Sequence, residues 1–369
     1  MKKHQIMVFI GNGFDIAVLN KYGKGITTSY DSFYSFFKSE YPNSNKNLLI
    51  EQMEKAKSEN KENWSDFEAI LDETLYYIPN SDSEHTSKLD KDLREIQQAF
   101  SRFLNEIIDN DIIENISTAN DVIIDSYNNC AKLTFKGSFF RDLSKNQYES
   151  MHFHNELDNN EDLKYMFINF NYTSLLDNYL YLNKERFDPA PYSTSNNNII
   201  LDVNPYRYQH SGFNDPYMKL LPIDIIHPHG VQDVPKSLLF GIENKDYCNV
   251  RDQRRIFVKS FWAQCQQKYN DKFDSTQLFI LYGCSLGKTD SWWWSRIYKR
   301  LVDENPAELI IYYYGNEDED VIKERFIKNC NLKDDDLKGK NKAKEKIYVI
   351  NFGATTDKDI EFMKLPKIE

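Results

Sequence analysis

Apolar and polar positions along this chain follow two different periods, and the change between them divides it. The run Ile6-Met7-Val8-Phe9-Ile10 is apolar without alternation, which predicts a strand covered on both faces, and it stops at Gly11-Asn12-Gly13-Phe14-Asp15. Two glycines one residue apart predict a tight strand-to-helix turn, where missing Cβ atoms let a ligand phosphate approach backbone N–H groups. The third glycine of the dinucleotide fingerprint is replaced by Ile16, so the spacing alone reads equally as a plain glycine turn with Asp15 as a helix cap. From about Ser29 to Lys136 the apolar spacing becomes three-and-four: Leu89, Leu93, Ile96, Phe100, Phe103 or Leu104, and Ile107 form one stripe, and Trp64, Phe67, Leu71, Leu75 and Ile78 another. Glu68 sits on the second stripe, where a carboxylate either pairs with a lysine at the edge or faces a site.

From about Leu163 onward, short apolar runs alternate with helical spacing. Tyr165 to Ile168, Ile223 to Ile226, Leu238 to Phe240, Leu278 to Leu281, Leu309 to Tyr314 and Ile347 to Ile350 read as strands, several ending in glycine, asparagine or histidine. A mostly parallel sheet presents its ligand loops along its carboxyl edge in this way. The predicted fold is an α/β, doubly wound, Rossmann-like sheet with a large inserted helical block. Residues 1–28 supply the first strand and glycine turn, 29–136 the block, and 137–369 the rest of the core. Ile16 to Ile26, with Gly23 and Gly25 as hinges, reads as a mobile loop able to cover the pocket.

Composition narrows the function. The net charge of −11 over 369 residues opposes general nucleic-acid binding. Arg251, Arg254 and Arg255 open a helix and Lys338, Lys340, Lys342, Lys344 and Lys346 fall in an exposed loop, so both basic groups read as solvated surface. Five cysteines without paired spacing fit a reducing cytoplasm, and no apolar run reaches the ~20 residues of a membrane span. Three adjacent tryptophans, Trp292 to Trp294, cannot all face inward on one helix, which predicts an exposed indole and a homo-oligomeric contact. His152 with His154 and His227 with His229 could hold a metal only if the pairs met, and no metal is expected.

Thr28-Ser29-Tyr30-Asp31-Ser32-Phe33, Trp64-Ser65-Asp66-Phe67-Glu68, Phe170-Asn171-Tyr172-Thr173, His229-Gly230 and Tyr282 to Asp290 follow the first glycine turn in an order that resembles the bacteriophage abortive infection AbiH family. That family is in turn distantly similar to sirtuin-type NAD-binding enzymes, whose asparagine, His-Gly and Gly-x-Ser positions fall on Asn171, His229 and Ser285. The resemblance implies antiphage defence, a sirtuin-like fold, NAD as substrate or ligand, and a phage trigger that releases the activity.

Cleaving a nicotinamide–ribose bond requires an amide to position water or ribose, a group to manage the proton, and negative charge near the developing cation. Asn171, His229 and Glu68 suit these catalytic tasks, and Asp15 could add charge. Gly11, Asn12, Gly13, Phe14, Asp15, Thr28, Ser29, Ser285 and Asp290 are the expected nucleotide-binding set. Asn171 could instead cap a helix, and His227 could replace His229, since strand alternation points both to one face. A non-catalytic nucleotide sensor that regulates a partner and a metal-dependent nuclease or phosphodiesterase are the competing readings.

Overall fold

A computed structural model describes residues 2–42, 46–61, 64–119, 123–125, 130–132, 135–182, 192, 197–201, 215–243, 245–249, 251–330, 332, 336–353 and 359–367. Among the described residues there are ten strands, β1 (Lys3–Ile10), β2 (Ile123–Asp125), β3 (Cys130–Lys132), β4 (Asp162–Asn169), β5 (Asn198–Ile200), β6 (Tyr217–Leu220), β7 (Asp224–Ile226), β8 (Leu278–Tyr282), β9 (Glu308–Tyr314) and β10 (Ile347–Phe352). Eight of them form one sheet in the order β10-β9-β8-β1-β4-β6-β5, with β7 also on β4. Only the β5–β6 pair in it is antiparallel. The protein is therefore mixed α/β with a mostly parallel sheet.

The unbroken apolar character of β1 follows from its central place. Ile6, Val8 and Ile10 enter one core with Tyr165 and Phe167, while Met7 and Phe9 enter another with Phe279, Leu281, Trp293 and Trp294. Helices cover both faces, so neither set of side chains meets water. A third core joins α2 (Tyr30–Glu40), α3 (Leu48–Ser58), α4 (Phe67–Tyr76) and α5 (Ser83–Ile107) to Tyr172, Leu238, Phe240 and Val258. The helix α6 (Asn110–Ser117) leaves that core, burying Ile112 and Ile116 against the first one.

Several local readings change. Residues 12–22 form α1 (Asn12–Tyr22), because Phe14, Val18 and Leu19 supply a buried stripe at helical spacing; the connection expected as a mobile cover is largely this helix. Lys338 to Lys344 lie on a helix, Leu337–Lys344, capped by Asp336. Leu238 to Phe240 run in no strand; nearby, the described residues pair in the isolated bridge of Ile242 with Val258. Trp293 and Trp294 are both buried, leaving Trp292 alone partly covered. The strands β5 and β6 went unread because each is too short to show a period.

The carboxyl ends of β4, β1 and β8 lie side by side, Ile10 opposite both Asn169 and Tyr282. There the turns after β1 and β8 interlock. The Gly11 N–H donates to the Tyr282 carbonyl and the Gly13 N–H to the Gly283 carbonyl, each at 2.9 Å. A Cβ on Gly13 would stand 2.6 Å from the Gly283 Cα, and one on Gly11 2.5 Å from the Gly283 oxygen, so backbone packing requires both glycines. Gly13→Ala should cost about 3 kcal/mol or more in urea unfolding, against about 1 kcal/mol for Gly25→Ala, whose Cβ would be strained but unobstructed. Equal losses in the two variants would contradict the interlock.

Candidate functional site

Above this edge lies a cavity of about 890 Å³, roofed by the helical elements and floored by the strand-end loops. Gly11, Asn12, Asp15, Thr28, Ser29, Glu68, Asn171, His229, Ser285 and Asp290 all line it. Gly13 and Phe14 do not: the former meets Gly283, and the latter is buried against Tyr179 and Tyr282. The Gly13 N–H, already donated to Gly283, cannot serve a phosphate.

The residues of the floor hold one another in place. Asn171, which is 4 % exposed, donates both amide hydrogens, to the Asp15 Oδ1 at 3.0 Å and to the Gly11 carbonyl at 3.2 Å. Its Oδ1 is thereby fixed as the remaining acceptor. Thr173 donates its hydroxyl to the other Asp15 oxygen at 2.7 Å. Burial pushes the Asp15 carboxyl up to about 7 against this hydroxyl bond, with Asp177 adding to the rise and His227 opposing it. Asn12 serves the wall: it accepts from the Thr28 hydroxyl and donates to the Thr28 carbonyl, and Ser29 caps α2.

A second group crosses from the helical elements to the sheet. Lys259 places its ammonium 2.7 Å from one Glu68 oxygen and 3.4 Å from Asp290 Oδ1, and His229 Nε2 stands 3.4 Å from that same Asp290 oxygen. Burial would lower the lysine, but the two carboxylates outweigh it and hold its pKa raised. Burial likewise would raise Asp290, yet the Lys259 ammonium and the His229 hydrogen bond hold it far below the usual range. Glu68 goes up, because burial of its carboxyl exceeds the pull of Lys259. Burial, then the ammonium of Lys259, lowers His229 despite Asp290, which leaves a neutral imidazole stacked on Phe170 at 5.0 Å between ring centres.

His227 points elsewhere. β7 ends at Ile226 and the chain turns through Gly230 at φ +87°, so strand alternation does not extend to either histidine. His227 meets Asp177 at 3.1 Å. His152 binds Glu308 at the amino end of β9, the opposite edge of the sheet, and among the described residues no group of three or more His, Cys, Asp or Glu side chains could hold a metal ion. Tyr30 and Thr173, which lie in stretches that carry the resemblance but are not among the expected site residues, also belong to the site, as does Lys259, which lies in no motif. A lysine following Ile256-Phe257-Val258 shows in sequence only that it ends an apolar run.

Fold and cavity define a mixed α/β protein with a ligand-sized pocket at the carboxyl edge of a parallel sheet, the usual place for a ligand in that architecture. The family model described as bacteriophage abortive infection AbiH matches residues 7–313, and the chain belongs to that family. No curated protein matches it. Among the described residues no helix is long and apolar enough to cross a membrane.

The raised Asp15 fixes the sign of a pH dependence. A folded-state pKa above the unfolded value near 4 means that stability present in acid is lost as the pH rises to about 7 and then levels off. Relative to Asp15→Asn, the wild type should lose on the order of 4 kcal/mol between about pH 4 and about pH 8 in urea unfolding. Parallel profiles would contradict a buried, ionising Asp15.

Proposed function

We propose that this protein is an abortive-infection effector that binds NAD or a related nucleotide in the cavity and hydrolyses its N-glycosidic bond. Family membership supports the defence role. One observation carries the chemistry: the open Oδ1 of Asn171 and the neutral imidazole of His229 face the same cavity beside a cluster rich in carboxylates. The reading takes the sheet as a sirtuin-like, doubly wound nucleotide fold, and the cavity volume lies within the range of small-ligand sites.

In the proposed step the C1′–N bond breaks and its electron pair neutralises the departing nicotinamide nitrogen. A water oxygen bonds to C1′, and its proton passes to His229, yielding nicotinamide and the ribosyl alcohol. Asn171 Oδ1 accepts a hydrogen bond from the water or from a ribose hydroxyl and so fixes the approach. The Phe170 backbone holds the ring, and Asp290, 3.4 Å from Nε2, stabilises the imidazole once that nitrogen has taken the proton. Glu68, kept beside the Lys259 ammonium, and Asp15, where ionised at and above its raised value of about 7, offer negative charge to the oxocarbenium-like transition state.

Purified protein incubated with NAD should release nicotinamide, and His229→Ala or Asn171→Ala should lower the rate about 100-fold or more while leaving the unfolding midpoint close to that of the wild type. The same variants should lose protection against phage. Because His229 is needed neutral and its pKa is lowered, the rate should hold as the pH drops past the ordinary histidine value of about 6.5 and fall only below it. Tight NAD binding without nicotinamide release would favour the sensor, and full activity in both folded variants would overturn the assignment.

A further inference from the structure

The cavity is lined by seven carboxylates and two ammonium groups, in a chain of net charge −11. On its floor the charges answer one another, Lys259 serving Glu68 and Asp290. The excess lies at the mouth, where Asp31, Asp66, Asp72 and Glu73 outnumber the one ammonium, Lys288, which acts on Asp72. Asp66 is spent on capping α4, and Glu73 is held by Lys61 at 2.8 Å. Asp31 and Asp72 are exposed, and their carboxylates have no hydrogen-bond partner among the described residues.

Two tyrosines share this rim. Tyr76 and Tyr77 are 74 % and 75 % exposed, an unusual cost for aromatic rings, and they meet edge to face at 5.3 Å. Aromatic faces beside carboxylates attract a cation. Two features of the first turn that would hold a phosphate are meanwhile taken up. Gly283 accepts the Gly13 N–H, and Asp15 already occupies the first turn of α1, where the helix dipole favours an anion. Deeper in, the open Oδ1 of the buried Asn171 calls for a hydrogen-bond donor such as a sugar hydroxyl.

We propose that the cavity prefers N-glycosides with a cationic base and no phosphate, the class of nicotinamide riboside, over phosphorylated mono- and dinucleotides; this rests on the glycosidic reading above and moves its preferred ligand from the nucleotide to the nucleoside. Carboxylates around the mouth draw the cationic nucleoside inward and repel phosphate groups along the same path, an effect carried by Coulomb forces that salt screens.

Calorimetric titration of the full chain with nicotinamide riboside, nicotinamide mononucleotide and NAD at low and physiological ionic strength tests this, with nicotinamide release followed in the same samples. The riboside should bind about tenfold tighter than NAD at low salt. That advantage should shrink with added salt and in the surface variant Asp31→Lys/Asp72→Lys. Equal or tighter binding of NAD, failure of the riboside to bind, or an unchanged preference in the double variant overturns the selection. Nicotinamide release from NAD together with any of those results leaves the glycosidic reading standing. Riboside binding without release from any of the three upholds the selection and overturns the hydrolysis.

Discussion

The Lys259 ammonium, 4 % exposed, lies between the Glu68 and Asp290 carboxylates, and a charge removed from water in this way must be paired or the fold loses several kcal/mol. Each partner comes from a different part of the chain. Glu68 is on α4 of the helical elements, Asp290 follows β8, and Lys259 opens a short helix that the Ile242–Val258 bridge holds in place. The requirement to satisfy one buried cation thus fixes how the helices stand over the sheet edge. It also sets the charge state of His229, whose imidazole that ammonium helps keep neutral.

Backbone packing sets the other boundary of the cavity. The turns after β1 and β8 approach so closely that Gly11, Gly13 and Gly283 are in mutual contact, and Asn171 ties the end of β4 to the same turn through the Gly11 carbonyl. The glycine-rich start of the chain is therefore first a packing device. Its contribution to a ligand is the room that it leaves above α1 and the position it gives Asp15 and Asn171.

Much of this was legible in the sequence where the physical signal is local. An apolar run stopping at glycines gave β1 and its turn, and the three-and-four stripe gave α5. Glu68 drew notice because a carboxylate on an apolar stripe needs a partner. The partner itself was not legible: Lys259 lies 191 residues away, and nothing in its neighbourhood shows which helix it faces. α1 was missed in part because its exposed face, with Asn20 and Lys21, looks like a loop, although Phe14, Val18 and Leu19 carry the helical period. The divergence of His227 and His229 depends on a turn through Gly230, which strand periodicity does not describe.

Burial, and after it the Lys259 ammonium, holds the His229 imidazole neutral, and the ring nitrogens report on both directly. Nitrogen-15 NMR of the histidine ring, followed through a pH titration of the wild type and of Lys259→Met, measures that protonation at its source. The expected result is an imidazole that is neutral at pH 7 with a pKa below the ordinary value of about 6.5, rising when the ammonium is removed. An ordinary or raised pKa in the wild type, unmoved in the folded variant, would contradict it.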